Sequence, residues 1–166
     1  NILYQHGTLG TLMAGLLKGT ASINEILKHG DLGIATLTGS NGEVIFVDGK
    51  AYHANEHKDF IELKGDELTP YATVTKFKAD TTYQTKDKSS EDVFDEVKEN
   101  MLSENLFSAV KISGVFKKMH VRMMPGQEPP YTRLIDSARR QPEQTETYVK
   151  GTVVGFFTPE LFHGVG

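Results

Sequence analysis

His120-Val121-Arg122 sits in an alternating stretch, with Met119 before it and Met123 after it. Side chains two apart on a strand share a face. His120 and Arg122 are therefore expected on one side, and Met119, Val121 and Met123 on the other. A guanidinium on a semi-buried sheet face is costly unless it meets an anion. Two anions answer that need. One is the carboxylate of a small acid, which an arginine fork grips through two parallel hydrogen bonds. The other is an Asp or Glu of the core, and on the residues alone both readings stand. Glu43 is the second candidate, because it opens the otherwise apolar run Val44 to Val47. By itself it reads as a solvated carboxylate at a hairpin edge. Thr36 and Thr38 lie on the strand expected to pair with it and can share its face.

The six histidines are His6, His29, His53, His57, His120 and His163. His53 and His57 have helical metal-ligand spacing, but they flank a turn around Asn55-Glu56, which is poor context for a zinc pair. His29 precedes Gly30 and reads as a helix C-terminal residue. There is no cysteine, so a disulfide framework, a thiolate zinc site and a cysteine nucleophile are all excluded. No nucleophile elbow, phosphate loop or dinucleotide fingerprint is present. The net charge of -4, with both signs interspersed, lacks the basic stripe of a nucleic-acid binder. No apolar run is long enough to cross a bilayer.

The elements that must carry these residues are legible in the period of the pattern. Leu9, Leu12, Met13, Leu16 and Leu17 predict a helix within Thr8 to Lys18, ended by Gly19. Ser22 to Glu25 reads as a capping box for a second helix ending at His29-Gly30. The period then changes to two. Ile34 to Thr38, Glu43 to Val47 and Lys50 to Ala54 predict an antiparallel meander, turned at Ser40-Asn41-Gly42 and at Asp48-Gly49. Phe60 to Leu63 and Tyr71 to Lys78 add strands. A helix is expected over Glu91 to Met101, capped by Ser89 or Ser90, with Val93, Phe94, Val97 and Met101 buried. Phe107 to Ile112 and Val115 to Met123 predict two strands divided by Ser113-Gly114. A short helix over Thr132 to Arg140 and a strand over Val149 to Phe157 close the reading. The expected class is α+β: a mixed, largely antiparallel β-sheet with two N-terminal helices and one inserted helix, residues 1–166 forming one domain.

Several stretches occur together in a characteristic order. They are Tyr4-Gln5, His29-Gly30-Asp31-Leu32-Gly33-Ile34-Ala35-Thr36-Leu37, Gly42-Glu43-Val44-Ile45-Phe46-Val47-Asp48-Gly49-Lys50-Ala51-Tyr52 and Glu104-Asn105-Leu106-Phe107. His120-Val121-Arg122, Pro129-Pro130-Tyr131 and Gly155-Phe156-Phe157-Thr158-Pro159 follow. In order and spacing the chain resembles the acetolactate decarboxylases over essentially its whole length. The resemblance implies conversion of acetolactate to acetoin and CO2, a fold of two α/β halves, and a bound zinc between them. It also implies that Arg122 orients the substrate carboxylate and holds the developing anion, and that Glu43 moves a proton. Thr36 matches a polar pocket residue that binds substrate. The family's zinc ligands, a His-x-His strand and a further His, follow a glycine-rich segment like His163-Gly164-Val165-Gly166. They are expected beyond Gly166, so the C-terminal part of the fold is missing and the segment alone is expected to be inactive. A cytoplasmic enzyme, with a small-molecule substrate and as a possible homodimer, completes the expectation. Two other classes stay open: a non-catalytic module that binds a small acid or a partner, and a structural fragment whose open sheet edge self-associates.

Overall fold

A computed structural model describes residues 2–165. Its strands are β1 (Leu3–His6), β2 (Ala21–Ser22), β3 (Leu32–Leu37), β4 (Asn41–Val47), β5 (Lys50–Ala54), β6 (Phe60–Glu62), β7 (Leu68–Thr69), β8 (Tyr71–Thr75), β9 (Ser108–Arg122) and β10 (Glu143–Phe157). The helices are α1 (Leu9–Met13), α2 (Ile23–Leu27), α3 (Ser90–Glu99) and α4 (Leu134–Ala138). Six strands form one sheet in the order β1-β8-β3-β4-β5-β6, and β9 and β10 form a separate two-stranded ribbon. The pairings are antiparallel throughout the described residues. The α+β expectation therefore holds.

The meander β3-β4-β5 exists because period-two apolar runs are joined by residues that tolerate left-handed backbone. Asp48 and Gly49 have φ values of 51° and 76°, as a tight hairpin turn requires. The first turn differs from expectation. It is the 3-10 turn Thr38–Ser40, and Asn41 and Gly42 already belong to β4. Val44 and Phe46 of β4 face one way and are fully buried with Ala35, Ala51, Ala72 and Val74. Helix α2 covers that face with Ile23 and Ile26. Its cap is as expected, the Ser22 hydroxyl accepting from the Glu25 amide, but the Glu25 carboxylate turns to Lys28. By alternation Glu43, Ile45 and Val47 face the opposite side. The ribbon strand β10 lies against β3 and β4.

Other expectations are corrected. Helix α1 stops at Met13 rather than Lys18, because Gly15 takes a φ of 88° in close approach to the Thr132 carbonyl. Leu12 and Leu17 are buried with Tyr71, whereas Met13 and Leu16 are exposed. Ser89 caps α3 as read, but none of its residues is buried, and Phe94 meets the body of the protein edge-on at Phe157. Strand β9 runs unbroken through Ser113-Gly114, since Gly114 pairs with Gly151 across the ribbon. Strand β10 begins at Glu143, six residues before Val149, because pairing with β9 orders a stretch that has no apolar alternation of its own.

Candidate active site

Glu43 stands at the start of β4, where three bonds immobilise the backbone beside it. The Thr36 hydroxyl donates to the Gly42 carbonyl at 2.8 Å. The Gly42 amide donates to the Met124 carbonyl at 2.9 Å. The His53 Nε2–H donates to the Asn41 carbonyl at 2.8 Å, which fixes that nitrogen as the protonated one. Gly42 itself has a φ of 66°, and a Cβ there would lie 2.1 Å from the Ala54 carbonyl oxygen. Only glycine fits such an approach in such a conformation.

The Glu43 carboxyl is largely buried and lies near the Met124 amide, whose N–H favours the charged form. Burial disfavours the charged form and the amide favours it. Burial is the larger effect, and it pushes the Glu43 pKa up to about 7. A carboxyl in this state can give or take a proton near neutral pH. Glu43 is thus not the solvated hairpin carboxylate that the sequence alone suggested.

Met124 reaches Glu43 because the connection between β9 and β10 folds back along the start of β4. Within it, the Gln127 amide donates to the Gly39 carbonyl at 2.8 Å, and the Met123 amide to the Pro142 carbonyl at 3.2 Å. Met124 was invisible to residue-type reasoning, since it acts through its backbone.

Arg122 is the last residue of β9, two positions before Met124. His120 and Arg122 do share a face, and that face is exposed, while Met119 and Val121 are half-buried on the other. The expectation of a semi-buried guanidinium is therefore corrected: the ribbon turns its apolar side inward and its His–Arg side to solvent. The cross-strand neighbour of Arg122 is Glu143, whose carboxylate lies 3.4 Å from His120 Nε2. Thr36 is buried, at the irregularity where β3 and β4 shift register, with its hydroxyl proton committed to Gly42. The fold thus brings Thr36, Glu43 and the end of the Arg122 strand to one region through the bonds at Gly42 and Met124.

The other histidines are dispersed. His29 stacks on Tyr4 at 3.7 Å, His53 is buried at Asn41, and His57 is exposed beside Glu56. Among the described residues no group of three or more His, Asp or Glu is arranged to hold a metal ion. These residues do not fit a zinc centre. An apolar hollow of about 370 Å³ lies elsewhere, between α3 and the ribbon, and its lining includes Phe94, Ile112 and Phe157. Lys98 is the one charged side chain in its lining. No helix among the described residues is long and apolar enough to cross a membrane.

Comparison with known proteins adds to this geometry. The family model described as alpha-acetolactate decarboxylase matches residues 3–166. The alpha-acetolactate decarboxylase of Lactococcus lactis subsp. lactis is 48% identical over 164 residues, covering 98% of this chain and 69% of the relative. A Staphylococcus aureus crystal structure, described as a protein of unknown function similar to alpha-acetolactate decarboxylase, superposes with a TM-score of 0.98 at 74% identity. It is covered over 72% of its length, and this chain over 100%. The crystal structure of the Bacillus subtilis alpha-acetolactate decarboxylase gives a TM-score of 0.94 at 33% identity, covering 98% of this chain and 70% of that one.

Proposed function

Because this chain belongs to the alpha-acetolactate decarboxylase family, we propose that its function is the decarboxylation of 2-acetolactate to acetoin and CO2. The observation that carries the reading is a largely buried Glu43 whose pKa is pushed up to about 7, at the start of β4 beside the Met124 backbone, on a chain of this family. Such a group is protonated when carbon needs a proton.

In the proposed sequence Arg122 binds the substrate carboxylate. Its exposure leaves the guanidinium fork accessible to an entering acid. The bond between C2 and the carboxyl carbon then breaks, CO2 departs, and the electron pair passes into the neighbouring ketone as an enediolate. Arg122 stabilises that anion. Glu43 delivers a proton to C2, giving acetoin, and recovers a proton from water. Thr36 supports this geometry by holding the Gly42 carbonyl, and its oxygen retains lone pairs for substrate.

Zinc enters only through the family resemblance. The described residues offer no ligand set, and the proposal assigns the ligands to the part of the relatives' length that this chain does not span. Cytoplasmic residence and a possible homodimer are parts of the same proposal. The test is acetoin formation from 2-acetolactate by the complete gene product and by its Glu43→Gln variant. Turnover in the first and its loss in the second are expected. A folded, metal-loaded product without activity on 2-acetolactate would favour the reading of a non-catalytic acid-binding module.

A further inference from the structure

Residues 124–127 run beside residues 39–42, and the two stretches are locked at three levels. Gly42 donates to the Met124 carbonyl at 2.9 Å. Gly126 packs so closely on Asn41 that an added Cβ would lie 2.9 Å from the Asn41 Cβ. The Gln127 amide donates to the Gly39 carbonyl at 2.8 Å. Gly39 meets this strap at the same place, where a Cβ would stand 2.2 Å from the Gln127 carbonyl oxygen.

The Gln127 side chain uses both ends of its amide. Nε2 donates to Ser137 Oγ at 2.6 Å, and Ser137, on α4, is fully buried. Oε1 accepts from the Thr132 amide at 2.8 Å and from the Thr132 hydroxyl at 3.1 Å. A single side chain thus ties the strap to the rest of the connecting segment and to α4. We propose that Gln127 is a positioning residue for Glu43: its side chain holds the strap against the start of β4, and through the bond from the Gly42 amide to the Met124 carbonyl it fixes the strand that presents Glu43. Gln127 need not touch substrate. It acts through Met124, with the buried Pro125 and the closely packed Gly126 as the rigid link.

This inference rests on the reading of Glu43 as the proton-transfer group. Loosening the strap lets the Met124 amide, whose N–H favours the ionised form, draw away from the carboxyl, so the Glu43 pKa rises further. The experiment is the pH dependence of kcat/KM for acetoin formation by the complete gene product, its Gln127→Ala variant and its Ser137→Ala variant. The limb set by Glu43 is expected to move to higher pH by roughly half a unit to one unit in Gln127→Ala, and by less in Ser137→Ala. A purely structural role would lower thermal stability and leave that limb in place. If Gln127→Ala does not fold, the milder Ser137→Ala variant decides. An unmoved limb in the folded variants would overturn the inference. Glu43→Gln separates the two ideas: full turnover in that variant defeats the Glu43 reading itself, whereas lost turnover with an unmoved limb in the strap variants defeats only the role of Gln127.

Discussion

The amide of Met124 lies near the carboxyl of Glu43, while the carbonyl of the same Met124 accepts from Gly42 at 2.9 Å. One residue, eighty-one positions away in sequence, thus faces the side chain of the proposed proton donor and holds the strand beneath it. The Met124 amide favours the ionised carboxyl. It does not offset burial, and the acid remains protonated up to about pH 7.

The first expected consequence concerns stability. Glu43 titrates near its ordinary value of 4.5 when unfolded and near 7 when folded. Below both values it is protonated in both states and carries no penalty. Between them the unfolded chain releases the proton and the folded chain keeps it, so stability falls as pH rises. Above about 7 the full cost applies, on the order of 3 kcal/mol. Glu43→Gln should therefore melt at a higher temperature than wild type at pH 8 and lose that advantage at pH 4. Thermal melts at the two values check this, and an equal difference at both would contradict it.

Arg122→Ala should sharply lower decarboxylation and leave the fold intact. The side chain is exposed, so the melting temperature should barely move, within about 0.5 kcal/mol of stability. Loss of the cation proposed to stabilise the enediolate should cost about 10²–10³ in kcat. Arg122→Lys should recover only part, since the fork is gone. Near-wild-type turnover in Arg122→Ala would make the arginine a surface residue.

Gly42→Ala should destabilise the protein by on the order of 2 kcal/mol or more, through the left-handed backbone and the approach of Ala54. Denaturant unfolding measures it. A neutral result would show that β4 can move away from β5 at this point, and with it Glu43.

The residues that form the site differ in how far their sequence foretold them. The meander was legible because Asp48-Gly49 has one physical meaning between apolar, period-two runs. The cap at Ser89 was legible for the same local reason. The shared face of His120 and Arg122 followed from strand geometry, but which side faced water did not, since that depends on what the ribbon packs against. The continuity of β9 through Ser113-Gly114 was hidden because glycine breaks a pattern, whereas here it pairs with another glycine. The raised pKa of Glu43 depends on residues folding over β4 from far along the chain, and no local pattern carries that information.

A catalytic zinc takes about three protein ligands, and the described residues assemble no such group. The 166-residue chain is expected to purify without stoichiometric zinc, as measured by elemental analysis, and without decarboxylase activity. One tightly bound zinc per chain would contradict this and make His53, His57 and His120 the ligands to replace.

The most direct test of the central claim, that Glu43 works as a protonated acid, is the pH profile of kcat/KM for acetoin formation by the complete gene product. Measured from about pH 5 to about pH 9, the rate should fall as pH rises through a value near 7, where the Glu43 carboxyl loses its proton. A profile that stays flat across neutrality would contradict the claim.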